Sequence, residues 1–313
     1  MSQTQVEAKQ PTPTKRLRNV LVIFKKSTYQ LDAIELKDPR LLRLLAEGSA
    51  TVANMERAHA EHQATLDTVV GVLASRQIAY TLADRGRVGS VPHDSDLVIA
   101  VGGDGTILHS SHALTGQPIL GVNSAPTTSF GHFCLARGET FASLLDEIES
   151  GHCRPSRLMR LELTLNGTTL TEPVLNEVLV CHSSPAGQSR YFIELDGKLE
   201  EQRSSGVVIG PPPGSTGTLR GAGGVVLPIT DQRFQYLVRE PGMRPGERWQ
   251  LLGGLLERQA QVKLVSLMKT GKLFIDGQNL EYHFCRGDEL IVRASPHDLH
   301  LFIDPSVNDY AQR

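Results

Sequence analysis

The chain is 313 residues long, 40% hydrophobic and 21% charged, with a formal net charge of -2. That length suits two domains whose cores need no staples, and the near-neutral charge excludes a nucleic-acid footprint spread over the whole protein. The apolar runs, such as Asn19–Phe24 and Leu97–Val101, are far too short to cross a bilayer, so neither nucleic acid nor membrane is an expected partner.

Residues 1–15 are polar and rich in Gln, Thr and Pro, without the apolar stretch of a signal peptide; they read as a disordered tail, and a cytoplasmic protein is expected. Asn19–Phe24 follows as a short buried strand, then Leu41–Ala74 as helix, broken near Gly48. Strands are expected at Ile78–Leu82, Asp96–Val101 and Pro118–Val122, with helices at Thr106–Leu114 and Glu139–Glu149. Strands alternating with helices imply an open α/β domain on a parallel sheet, over residues 16–153.

Beyond Gly151 the period changes. Leu158–Leu165 alternates as one half-buried strand, and Asn166-Gly167 and Asp196-Gly197 are hairpin turns. Val174–Val180, Tyr191–Leu195, Gly206–Ile209, Val262–Leu267, Lys272–Ile275 and Leu290–Arg293 continue the rhythm. Residues 154–313 therefore form a β-rich second domain, whose last residues are candidates to return to the first.

The four cysteines, Cys134, Cys153, Cys181 and Cys285, have no paired spacing and read as reduced thiols. His132 and Cys134 would share a strand face, but no further ligands accompany them, so no metal held by protein groups is expected. The pairs His59/His62 and His109/His112 lie three apart on helices and read as packing or surface groups. No serine stands in a nucleophile-elbow context.

Gly102-Gly103-Asp104-Gly105-Thr106 closes a buried strand and opens a helix, the place where open α/β sheets bind ligands. Three glycines let backbone N–H groups approach phosphates, and the helix N-terminus adds its dipole. A lone carboxylate there suits a group that meets a metal-bound phosphate or takes a proton from an attacking hydroxyl. The alternative is a plain turn whose Asp caps a helix. Neither a Walker A loop nor a G-x-G-x-x-G fingerprint is present.

The run resembles the loop shared by NAD kinases, diacylglycerol-type lipid kinases and phosphofructokinases. Further matches single out the NAD kinase family: Gly121-Val122-Asn123, Asn176-Glu177, Gly214-Ser215-Thr216 with Ala222-Gly223-Gly224, and Asp276-Gly277-Gln278, in the family's order from about Asn19 to Asp304. Three segments depart from its common bacterial pattern. Ser124–Cys134 replaces a glycine-leucine-rich stretch, Ser205 stands where an acidic residue is usual, and Pro211–Thr218 lacks a tyrosine. With Arg203-Ser204-Ser205-Gly206 and Arg239-Glu240-Pro241, these departures are similar to the mitochondrial-type subgroup, and a bacterial relative of it is expected.

The resemblance implies transfer of the γ-phosphate of ATP to the adenosine-ribose 2′-hydroxyl of NAD. Asp104 would be the base. Gly102, Gly103, Gly105 and Thr106 would cradle the donor's phosphates. Asn123, Asn176, Glu177, Arg203, Ser205, Gly214, Ser215, Thr216 and Gly217 would hold NAD, and Asp276 would reach a neighbouring subunit's ligand. Mg²⁺, or another divalent cation, would be held by phosphate and water, and a homodimer or homotetramer is implied. The alternatives are a lipid kinase, which would need an apolar acceptor cleft, and a non-catalytic NAD(P)-binding protein, which would have no use for a base at Asp104. Donor preference and the choice between NAD and NADH stay open.

Overall fold

The computed structural model describes residues 16–87, 94–242, 246 and 248–309. The tail expected at residues 1–15 lies outside them. The first half of the chain contributes strands β1 (Asn19–Phe24), β2 (Ala79–Asp84), β3 (Leu97–Gly102), β4 (Ile119–Asn123), β5 (Ala136–Arg137) and β6 (Ser156–Leu158). Its helices are α1 (Pro39–Ala46), α2 (Met55–Ser75), α3 (Asp104–Ser111) and α4 (Phe141–Glu149). The second half adds β7 (Leu161–Leu165), β8 (Thr168–Thr169), β9 (Val178–His182), β10 (Ser189–Leu195), β11 (Lys198–Ser204), β12 (Val207–Gly210), β13 (Phe234–Val238), β14 (Gly253–Leu256), β15 (Gln261–Ser266), β16 (Gly271–Ile275), β17 (Leu280–His283), β18 (Glu289–Ala294) and β19 (Leu299–Phe302).

The first sheet runs β2-β1-β3-β4-β19-β6, with β5 beside β4, and every pair in it is parallel except β19 with β6. Its central strands are apolar without alternation because both faces are covered; every residue of β3 and β4 is buried. Strand order reverses between β1 and β3, since β2 lies to one side of β1 and β3 to the other. Such a switch point opens a crevice at the carboxyl ends of the two strands. Lys25 follows β1 there, and Gly103-Asp104 follows β3.

The remaining strands form two antiparallel sheets, β11-β10-β15-β18-β7-β8 and β14-β13-β12-β9-β16-β17. They share one core, in which Leu163, Tyr191, Ile193, Leu264 and Val292 of the first meet Val178, Val180, Ile209, Phe234 and Leu273 of the second. The alternating burial of β10 and β15 is the period-2 pattern of strands covered on one face.

The helix expected over Leu41–Ala74 with a break near Gly48 is two helices, separated by a non-helical stretch over 47–54; Gly48 takes φ +64°, which ends the first. The single strand expected over Leu158–Leu165 breaks at Met159-Arg160, so that β6 joins the first sheet and β7 the second. The first sheet thus draws on β6 and β19, both beyond residue 153, and β19 pairs in parallel with β4, Leu301 opposite Ile119.

Candidate active site

Asp104 is the first residue of α3. Its carboxylate Oδ1 accepts a 2.8 Å hydrogen bond from the backbone N–H of Phe133, which fixes it against the 124–134 loop. The glycines beside it are required by close packing. A Cβ on Gly102 would overlap the Thr106 hydroxyl, and one on Gly103 would lie 2.6 Å from Ser129 Oγ. Thr106 is 1% exposed and its Oγ1 has no hydrogen-bond partner, an orphaned buried donor of the kind that a ligand or water satisfies.

Asn123 ends β4 and holds the same loop from below. Its Nδ2 donates to Ser129 O at 2.9 Å and its Oδ1 accepts from Ala125 N–H. At 3% exposure it shapes the loop from inside and presents no free face to a ligand. Behind the loop, His62 Nδ1 lies 2.8 Å from Ser124 Oγ.

Asn176 and Glu177, expected to hold the acceptor, stand immediately before β9. Asp276 takes φ +50° at the end of β16, and its carboxylate accepts from the backbone N–H groups of Leu175, Asn176 and Glu177. Glu177 is 7% exposed. Thr218 Oγ1 donates to its Oε1 at 3.3 Å, while Oε2 has no partner. Burial, and then the Asp276 charge, push its carboxyl up to about 7. The Gly214–Thr218 segment folds onto this pair: a Cβ on Gly214 would overlap the Asn176 carbonyl, and one on Gly217 would sit 3.6 Å from Asn176 Nδ2.

His132 joins the two sides. Its Nε2 is 3.0 Å from Asn308 Oδ1 and 3.5 Å from Thr216 Oγ1, and the Asp104 charge opposes the lowering that burial imposes on it. In the sequence His132 drew notice only beside Cys134, as a metal-ligand pair lacking further ligands, and not as a link between these segments.

Other expected site residues are placed differently. Ser215 is fully buried, and its hydroxyl donates to Pro212 O and accepts from Leu227 N–H, so it holds the loop together instead of facing NAD. Asp276 is turned inward: its side chain is 1% exposed and held by the backbone N–H groups of Leu175, Asn176 and Glu177 and by His112. Arg203 belongs to β11, opposite Arg190 of β10, and Ser205 precedes β12 at the far end of the β9–β12 pair. Register places Val207 opposite Val180 and Ile209 opposite Val178, which puts Ser205 roughly 20 Å from Asn176 at ~3.4 Å per residue. Arg203 contacts Glu201 at 3.4 Å. His112, read from sequence as a packing or surface residue, is a bridge whose Nε2 is 2.8 Å from Asp276 Oδ2.

The family model for the ATP-NAD kinase N-terminal domain matches residues 20–153, which span β1 to α4 and include the Asp104 loop. The chain is 35% identical over 255 residues to a probable NADH kinase of Oryza sativa subsp. japonica, covering 74% of this chain and 78% of that one. It belongs to the NAD kinase family. An NAD kinase of Methanospirillum hungatei is 34% identical over 221 residues, covering 69% of this chain and 77% of that one. The fold of this family member is also that of an NAD kinase from Archaeoglobus fulgidus solved with ATP, at TM-score 0.66 and 19% identity over 93% of this chain and 96% of the other. Yeast NADH kinase, solved with NADH, superposes at TM-score 0.70 and 15% identity over 95% of this chain and 86% of the other. Among the described residues no helix is long and apolar enough to cross a membrane, and no group of three His, Cys, Asp or Glu could hold a metal ion.

Proposed function

We propose that this NAD kinase family member transfers the γ-phosphate of ATP to the adenosine-ribose 2′-hydroxyl of NAD, giving NADP. The observation that carries the reading is the His132 junction. It ties the loop that anchors Asp104 to the Gly214–Thr218 segment that covers Asn176 and Glu177. Phosphoryl transfer demands little covalent chemistry of the protein; it needs acceptor and donor held in line and charge neutralised. Glu177 Oε2, buried without a partner, suits a ribose or adenine donor group. Asp104 would take the proton of the 2′-hydroxyl, and the Thr106 hydroxyl and the glycine backbone would face the transferred phosphate.

Mg²⁺, or another divalent cation, would enter with the triphosphate, held by phosphate oxygens and water; its chemistry is to neutralise charge on the transferring group. The names of the rice and yeast relatives make NADH an acceptor to compare with NAD. We place the chain in the cytoplasm as a homodimer or homotetramer, on the family resemblance. A lipid acceptor is disfavoured because Asn176, Glu177 and Thr218 stand together and Glu177 Oε2 is buried without a partner, a polar corner suited to a dinucleotide.

The test is NADP or NADPH formation from NAD or NADH with ATP and Mg²⁺, in the wild type and Asp104→Asn. The amide keeps an oxygen for Phe133 N–H, so the fold should hold, while turnover should fall about 10²–10⁴-fold. Absence of product from either acceptor in the wild type overturns the reading.

A further inference from the structure

The buried residues of α2 are His62, Thr65, Val69 and Leu73, a single stripe at helical spacing. Val69 and Leu73 pack in the apolar core on the first sheet. The stripe turns polar at His62 and Thr65, which both reach Ser124, the residue that follows β4. His62 is 1% exposed. Burial first, and then the Lys25 ammonium, push its imidazole down to about 4, so the ring is neutral. Its Nδ1 is 2.8 Å from Ser124 Oγ, while Nε2 has no hydrogen-bond partner and the Lys25 backbone lies close by. Lys25 follows β1 and Ser124 follows β4, and β3 lies between those strands in the sheet. The ring therefore stands across the end of β3, where the glycine loop begins.

Ser124 is fully buried and gripped on three sides. Its hydroxyl meets His62, its carbonyl accepts from Thr65 Oγ1 at 3.3 Å, and its N–H donates to the carbonyl of Gly102 at 2.9 Å. Three residues on, Thr127 Oγ1 donates to the Glu61 carboxylate at 2.7 Å, a second hold of α2 on the same loop. The loop then returns to the glycine run, where Phe133 N–H fixes Asp104. Polar contacts thus lead from α2 through Ser124 to the first glycine, and through the 124–134 loop to Asp104.

Resting on the kinase reading, we propose that His62 is a positioning residue for phosphoryl transfer, which through Ser124 sets the place of Gly102 and of the loop that holds Asp104. A buried polar pair specifies one arrangement, where an apolar filler of equal volume specifies none. Phosphoryl transfer is sensitive to this, since a displacement of about 1 Å at the reacting groups costs about 100-fold.

The test compares the full chain with His62→Leu, His62→Asn, Ser124→Ala and, as a control, His59→Ala. His59 is on the same helix and makes a like contact outside the loop, its Nδ1 2.9 Å from Ser27 Oγ. The readouts are steady-state kinetics with NAD or NADH and Mg²⁺-ATP, and amide hydrogen exchange of the 124–134 loop. His62→Leu and Ser124→Ala are expected to lower kcat about 10- to 100-fold, with far smaller changes in the KM for NAD. Exchange in the loop should quicken about 5- to 10-fold, the equivalent of one lost hydrogen bond. His62→Asn keeps a hydrogen-bonding atom in the place of Nδ1 and should recover most of kcat, and His59→Ala should match the wild type.

Leucine fills the space of the ring, so His62→Leu with wild-type kcat and exchange makes His62 a packing group and overturns the role. A fall in kcat as large in His59→Ala makes the effect a general one of α2 and overturns it too. If His62→Leu does not fold, Ser124→Ala decides, and wild-type kcat and exchange in that variant are the overturning result. A wild type that forms neither NADP nor NADPH sinks the kinase reading instead, and the exchange comparison then decides whether His62 holds the loop.

Discussion

His112 Nε2 lies 2.8 Å from Asp276 Oδ2, and through that contact the C-cap of the helix that begins at Asp104 touches the carboxylate that holds the 175–177 backbone. The two residues are 164 positions apart in the chain. One carboxylate thus fixes three consecutive backbone amides, at Leu175, Asn176 and Glu177, while remaining tied to α3.

Removing that carboxylate leaves buried N–H groups without acceptors, each costing about 1–3 kcal/mol. Asp276→Ala is therefore expected to destabilise the protein by about 3 kcal/mol or more, and it loses a residue type that tolerates positive φ. Asp276→Asn keeps one acceptor oxygen and should lose less. His112→Ala should cost about 1 kcal/mol, and in a double-mutant cycle with Asp276→Asn the losses should not add. Urea unfolding measures all four; additive losses would remove the bridge from the argument.

Gly214 gives a sharper test of the acceptor loop. Any side chain there collides with the Asn176 backbone. Gly214→Ala must push the Gly214–Thr218 segment away, at about 1–3 kcal/mol. Weakened NAD binding, read by titration, should be its larger effect. Unchanged NAD affinity would mean that the segment does not touch the acceptor.

How much of this was legible beforehand differs from element to element. Asn19–Phe24 could be read residue for residue because a doubly covered parallel strand is a continuous apolar run. β11, KLEEQRS, could not, since an edge strand with polar residues carries no such signal. β19 is four residues long and finds its place only by pairing with β4 and β6. In the site, the glycine loop was visible because backbone approach demands glycine in sequence. The inward turn of Asp276 and the bridge from His112 were not, because both depend on contacts between distant segments. Ser215 shows the converse: its motif drew attention to it, yet its hydroxyl is satisfied inside the loop.

Glu177 predicts a pH dependence. Burial, and then Asp276, hold its carboxyl at about 7 when folded, above the ordinary 4.5. The folded state then binds the extra proton, so this group lowers stability progressively as pH rises from about 4.5 to about 7, and fully above that. Glu177→Gln mimics the protonated form. It should unfold like the wild type near pH 4.5 and be more stable at pH 8, by up to roughly 3 kcal/mol, while losing NAD affinity. Thermal melts across that range decide; a variant no more stable than the wild type at pH 8 would contradict the burial argument.

Arg160 carries the last prediction, because it connects the break between β6 and β7 to the geometry of α3. Its guanidinium is 1% exposed and donates to the carbonyls of Ser111, Leu114 and His297. Burial lowers its pKa to about 10, still far above neutrality, so it stays charged. Two of its acceptors, Ser111 and Leu114, lie at the end of α3, where a cation suits the negative end of the helix dipole. Arg160→Met fills similar space but strands these carbonyls, at an expected cost of about 3 kcal/mol. Arg160→Lys keeps the charge and loses the fork, and should fall between. Because α3 begins at Asp104, turnover in either variant should drop more than affinity for NAD, whose proposed contacts Asn176 and Glu177 precede β9 of another sheet. A methionine variant with wild-type stability and kcat would show that water replaces the guanidinium and that α3 needs no anchor at this end.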